Sequence, residues 1–258
     1  MRRTALMLIA HGDRGGTAAN RALADCVLRL RERLPLAMIS AAFLRTEPSI
    51  EAELDRLRAG QIDQVLVYPF MMSNGYIATD VLRNRLAGAG HLPDVSILPP
   101  LGLDPRLGDL LLSQAVEASE KAGHAPHASR LLIVGHGSKI SGASAVATRD
   151  IADRILPKSL FRCIATAFLE EPPFLQTELV SEPGPVVVAG FFSGEGLHGG
   201  LDVLAAINES GVQAAYTGPI GTHEGIPDLI AEAVTEFLEE AARDCRPPHS
   251  SSSSERPA

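Results

Sequence analysis

The chain has 258 residues, a formal net charge of −8, 45% apolar residues, 4% aromatics and no Trp. That length suits one large α/β domain or two small ones, with cores built from Val, Leu, Ile and Ala. The acidic balance argues against a general nucleic-acid binder, which needs a basic face, but leaves room for a local basic pocket that takes a small anion.

Cys26, Cys163 and Cys245 are odd in number, far apart and without a C-x-x-C. This argues against a disulfide framework, a cysteine zinc site and a cysteine-ligated iron–sulfur cluster, and fits buried or inert thiols in a reducing compartment. The opening MRRTALMLIAHG ends its short apolar run at a His-Gly turn and reads as a first strand rather than a signal peptide. No apolar stretch approaches the roughly 20 residues of a membrane span, so a cytoplasmic protein without a membrane partner is expected.

Strands and helices alternate along the chain. TALMLIA (4–10) is a strand-length apolar run, and residues 17–34 follow with helical spacing. AMISAAFL (37–44) is a second strand, after which Pro48 fits the start of a helix. QVLVYPFMM (64–72) is a third strand, followed by the loop SNGY and a helix from about 77. VSILPP (95–100) is a fourth strand, and 105–121 a helix. Apolar strands separated by helices imply a parallel sheet covered on both faces.

The pattern then restarts at RLLIVGHGSK (130–139). His11 and His136 are 125 residues apart, as are Ala42-Phe43-Leu44 and Ala167-Phe168-Leu169. The offset shrinks to 121 between Gly75 and Gly196, and to 119 between Gly102 and Gly221. Ordered matches with small deletions indicate a diverged duplication. The expected organisation is two similar α/β domains, 1–123 and 128–245, each a parallel four-stranded sheet flanked by helices on both faces. Their joint lies in the breaker-rich stretch Gly123 to His127. The last helix spans 225–243, and 246–258 is a low-complexity tail expected to be disordered.

In an open parallel sheet, ligands bind at the carboxyl ends of the strands. In the second half those positions hold His136, Glu170 and Glu171, the segment Ser193-Gly194-Glu195-Gly196-Leu197-His198, and His223. Imidazole suits Co, Ni, Zn and Fe and can accept protons near neutral pH, so one constellation can hold a divalent metal and act as a base. A His-Gly after a strand is also a common turn, so His11 or His136 alone carries little; with His198 it forms a pair on two strand ends. His198 sits in GEGLHGG, where four glycines in seven residues let backbone approach a flat ligand. His223 is equally readable as a neighbour of a helix start, with Glu224 favouring that helix electrostatically. His91, His124, His127 and His249 lie in connecting or tail segments and are assigned no role. The first half keeps His11, but Tyr76 or Ile77 stands where the second His belongs and Asp104 stands at the place of His223. It reads as a structural or ligand-covering partner.

Each half resembles the class II tetrapyrrole chelatases, the sirohydrochlorin cobaltochelatases and ferrochelatases. The matching motifs are GHGS (Gly135 to Ser138), AFLEEP (Ala167 to Pro172), VVVAGFFSGEGLHGGLD (Val186 to Asp202) with its Gly-x-His and an Asp four residues beyond, and GPIG (Gly218 to Gly221). The resemblance covers about residues 4–240. It implies a metal chelatase (a lyase) that inserts Co²⁺, Fe²⁺ or Ni²⁺ into sirohydrochlorin or a related tetrapyrrole, in cobalamin or siroheme biosynthesis. His136 and His198 then bind the metal, and one takes a pyrrole proton. Glu171, with Glu47 as its first-half match, contacts substrate, and Ser193, Gly194, Glu195, Gly196 and Leu197 line the cleft. His11, Glu47 and His223 are secondary candidates. No permanent cofactor is implied, since the metal is a substrate; the partner is the small-molecule tetrapyrrole, and the chain is a monomer or homodimer. Lys139, Arg130 and Arg14, with Asp13 beside it, are candidates for holding a carboxylated ligand. The two imidazoles are expected to face each other across a gap wide enough for the macrocycle.

Among rivals, a histidine phosphatase needs Arg directly before the His, where this chain has Ala10 and Gly135, and a serine hydrolase needs G-x-S-x-G, which is absent. A non-catalytic tetrapyrrole or metal carrier on the same fold remains the alternative.

Overall fold

The structure, a computed structural model, describes residues 2–12, 21–88 and 94–244. Asp13, Arg14, His91, Cys245, His249, the start of the first helix and the tail lie outside the described residues.

Two four-stranded sheets, all parallel, are built from successive stretches of the chain. The first comprises β1 (Thr4–Ala10), β2 (Met38–Phe43), β3 (Gln64–Pro69) and β4 (Asp94–Ile97), in the order β2-β1-β3-β4. The second comprises β5 (Arg130–Gly135), β6 (Cys163–Phe168), β7 (Val186–Gly190) and β8 (Ala214–Pro219), in the order β6-β5-β7-β8. The registers repeat as the duplication requires: Ala5 pairs with Met38 in one sheet, Arg130 with Cys163 in the other.

Helices α1 (Arg21–Arg33), α2 (Ile50–Ala59), α3 (Leu82–Gly88) and α4 (Leu107–Lys121) belong to the first half. Helices α5 (Ala143–Ile155), α6 (Leu175–Leu179), α7 (Val203–Ser210) and α8 (Ile226–Asp244) belong to the second. Helix α2 begins two residues later than Pro48 suggested, because the Ser49 side chain accepts from the Ala52 N–H and caps it. A π-helical turn precedes both α3 (Ile77–Val81) and α7 (Leu197–Asp202), where the sequence indicated an ordinary helix from about 77 and a glycine-rich loop around His198.

The period-two alternation of each strand sorts its side chains into two cores. Ala5, Met7 and Ile9 of β1 face α2 and α3, while Leu132 and Val134 of β5 face α6 and α7. The opposite faces, Leu6 and Leu8 of β1 and Leu131 and Ile133 of β5, enter one continuous apolar cluster together with α1, α4, α5 and α8. The halves therefore share their largest core. Helix α4, from the first half, packs on β7 and β8 of the second as well as on α5, and α8 returns to pack on α1. Gln114 of α4 donates to the Thr217 carbonyl across this junction at 3.1 Å. The ion pairs Arg33–Asp228 and Arg106 with Glu232 and Glu236 also link the halves, but at the surface, where such pairs contribute little.

Among the described residues, no helix is long and apolar enough to cross a membrane. Cys26 is buried in the shared core and Cys163 is half-buried. Burial pushes the Cys26 thiol up to about 12 from 9.0. Its contribution to stability is therefore present below the unfolded thiol range and lost as pH rises between those two values. Cys26 is expected to resist thiol reagents in the native protein at neutral and mildly alkaline pH and to react on unfolding.

Leu111 of α4 is fully buried in the shared cluster. Leu111→Ala is expected to cost about 2–5 kcal/mol, seen as a shift of a single urea transition. Two separate transitions would contradict a core common to both halves.

Candidate active site

The sheet order changes direction between β5 and β7: the chain steps from β5 outward to β6, then returns to the other side of β5. Such a switch point opens a crevice at the carboxyl ends of the two strands. His136 follows β5 directly, and His198 lies in the π-helical turn that follows β7. Their ring centroids are 4.2 Å apart with planes at 88°, an edge-to-face contact. Both side chains remain partly open to solvent, His198 at 41%.

In each ring the Nδ1 atom is committed. His136 Nδ1 lies 2.8 Å from the Gly137 carbonyl oxygen, and His198 Nδ1 lies 2.8 Å from Asp202 Oδ2. A carbonyl and a carboxylate can only accept, so Nδ1 donates in both rings. Each Nε2 is then left with a lone pair for a metal or a proton. Asp202 also adds negative charge behind His198, which strengthens the ring as a ligand.

The loop after β5 is held from three sides. Gly137 has φ +73°, and a Cβ there would come within 2.9 Å of Phe168 Cβ and Glu171 Cγ, so glycine is required for both reasons. The Gly137 N–H donates to Ser144 Oγ at the first turn of α5, and the Ser138 N–H donates to Glu171 Oε1 at 2.9 Å. Ser138 Oγ in turn accepts from the Ile140 and Ser141 N–H groups. The loop Ser193–Leu197 folds against its own π-helical turn: Cβ atoms on Gly199 and Gly200 would lie 2.6 Å from the Gly194 and Glu195 carbonyl oxygens.

Several sequence expectations change. The gap between the imidazoles is absent. A macrocycle sandwiched between two rings needs about 3.5 Å of contact distance on each face, which 4.2 Å between centroids does not allow. The pair presents itself to one side. Glu47 is not the counterpart of Glu171. The bridges Phe43–Ser49 and Phe168–Phe174 register the halves at the same offset, matching Glu171 to Thr46 and Glu47 to Pro172. Glu47 is exposed and accepts from the Ser49 N–H at 2.8 Å. His223 does not join the pair: its Nδ1 accepts from the Gly225 N–H at 3.0 Å ahead of α8. Asp104 makes the same turn ahead of α4, accepting from the Arg106 N–H. Among the described residues no group of three or more His, Cys, Asp or Glu is placed to hold a metal.

Arg130 is 2% exposed at the opposite end of β5, where it donates to Ser181 and the Glu178 carbonyl, so it is no ligand anchor. Lys139 is exposed one residue beyond Ser138. His11 follows β1, and its carbonyl accepts from the Arg45 N–H as that of His136 does from Glu170. The π-helical turns align Ile77 with His198 and Val81 with Asp202, so the first half lacks the second imidazole together with its carboxylate. Asp202, Ser144 and Arg149, whose guanidinium lies 5.2 Å over the Phe168 ring, went unassigned from sequence. The i,i+4 spacing of His198 and Asp202 was the one available signal.

The family model CbiX matches residues 5–118 and 130–237. A relative from Halobacterium salinarum, named "Probable sirohydrochlorin cobaltochelatase", is 21% identical over 270 residues, spanning 90% of this chain and 91% of that one. The structure of CbiX described as the terminal enzyme for biosynthesis of siroheme in denitrifying bacteria is 30% identical, with TM-score 0.77 over 90% of this chain and 98% of that one. SirB from Bacillus subtilis with Fe³⁺ shares the fold, at 16% identity and TM-score 0.77, over 94% of this chain and 98% of that one.

Asp202→Ala is expected to weaken Co²⁺ binding by about 10–100-fold, the usual effect of removing a carboxylate behind a ligating His. A Co²⁺ absorbance titration measures this.

Proposed function

The chain belongs to the CbiX family, and from that premise we propose that it inserts a divalent metal, Co²⁺ or Fe²⁺, into sirohydrochlorin or a related tetrapyrrole, with His136 and His198 as the working pair. One observation carries the reading: two imidazoles in contact at a sheet switch point, each with Nδ1 tied off and Nε2 available.

Insertion requires the aquated metal to lose water and two pyrrole N–H protons to leave. One Nε2 takes the metal as substrate while the other accepts the first pyrrole proton, a contribution worth typically 10²–10⁴-fold in rate, and the second proton passes to solvent water at the exposed side of the pair. Since the rings leave no room between them, the macrocycle lies against the exposed side of the pair. The exposed apolar side chains near the pair in sequence, Leu197 at 56%, Leu201 at 66% and Ile140 at 98%, suit a flat apolar ring face. Lys139 and Arg149 are cations available to the peripheral carboxylates of such a substrate. The loop Ser193 to Leu197 forms a wall, and Glu171 acts by holding the Ser138 backbone and so the His136 loop. The names of the relatives point to both cobalt and iron, and an imidazole pair accepts either.

The test is incubation with sirohydrochlorin and Co²⁺ or Fe²⁺ while the absorbance spectrum is followed. His136→Ala and His198→Ala are each expected to slow insertion by about 10²–10⁴-fold, and His11→Ala much less. The reverse ranking would move the site to the first half, and tetrapyrrole binding without accelerated insertion would make the protein a carrier.

A further inference from the structure

The duplication provides an internal control for the surroundings of His198. Met7 pairs with Val67 and Val67 with Ile97 in the first sheet; Leu132 pairs with Val188 and Val188 with Tyr216 in the second. Tyr216 therefore occupies the position of Ile97. Its O–H donates to the carbonyl oxygen of Gly199, the residue after His198, and so ties β8 to the π-helical turn. The space for that hydroxyl exists because position 190 is glycine: a Cβ there would lie 2.6 Å from the Tyr216 oxygen. The corresponding first-half residues are Ile97, Pro69 and Ala78. Ile97 has no donor, so the half without the second imidazole also lacks the tie.

We infer that Tyr216 is a positioning residue: through the Gly199 carbonyl it fixes the π-helical turn at the setting where His198 meets His136. The inference rests on the reading of these two histidines as the metal-handling pair. The physical need is clear from the turn itself. Gly199 and Gly200 follow His198 directly, and glycine pairs impose little backbone direction. Asp202 orients the ring, but it sits on the same turn and moves with it. Tyr216 comes from a different element and refers the turn to the sheet that also carries His136. Burial, and then the negative charge of Glu195, push the phenol above its ordinary value, so the hydroxyl stays protonated and continues to donate. A misplacement of about 1 Å in such a pair costs up to about 10²-fold in rate.

The experiment is a visible-region Co²⁺ titration of the full chain with Tyr216→Phe and His198→Ala, alongside insertion kinetics. Tyr216→Phe is expected to weaken Co²⁺ binding by about tenfold, to alter the cobalt absorption band and to lower kcat, with KM for the tetrapyrrole unchanged. Wild-type affinity and spectrum in Tyr216→Phe would overturn the inference. So would a kcat loss matched by an equal rise in tetrapyrrole KM, the sign of a general structural role. Should Tyr216→Phe not fold, Tyr216→Ile, which installs the residue that the first half carries at this position, takes its place: weakened Co²⁺ binding supports the tie and unchanged binding overturns it. If Co²⁺ binds the wild type no better than His198→Ala, the histidine-pair reading falls and this inference with it. If binding depends on His198 but not on Tyr216, the inference alone fails.

Discussion

A neutral imidazole has one nitrogen that donates and one that accepts, so whatever occupies the first decides what the second can do. At the switch point of the second sheet this choice is made twice, by the Gly137 carbonyl for His136 and by the Asp202 carboxylate for His198. The surrounding structure serves to keep both choices in place. Ser144, Ser138 and Glu171 hold the loop after β5, and the π-helical turn brings His198 and Asp202 together. A π-helical insertion re-aims side chains relative to an ordinary helix and recurs at functional sites. In this chain it separates the ring that must lean toward β5 from the helix α7 that must pack on the sheet.

The two halves show which features recur and which belong to the second half alone. The first half retains the strand order, the His-Gly turn, the π-helical turn and the capping turn before its last helix. It departs at Thr46 for Glu171, Ile77 for His198, Val81 for Asp202 and Ile97 for Tyr216. Without the imidazole, a carboxylate at position 81 would have no ring to orient. The first half also serves the second as a packing partner. Helix α4 covers part of the second sheet, and the largest apolar cluster draws on both halves. Removing the first half would expose the inner face of β7 and β8 to water, at roughly 25 cal/mol per Å² of apolar surface.

The sequence by itself determined the eight-strand α/β plan, the duplication, the membership of the resembled family and the two histidines brought into contact. These are local signals: apolar runs of strand length, breakers between them, and residues directly after a strand. Local signals fail where distant segments meet. Only the tertiary structure decided that α4 lies on the other half's sheet, that the His223 ring closes a turn ahead of α8, that Arg130 is buried at the far end of β5, and that Thr46 rather than Glu47 corresponds to Glu171. It also decided that the imidazoles touch rather than face each other across a gap. Strand pairing and turn type set the separation of His136 and His198, 62 residues apart in the chain, and neither residue's neighbours in sequence specify that distance. The physical reason is that periodicity reports which face a side chain takes, whereas the distance between two faces is settled by how the elements pack.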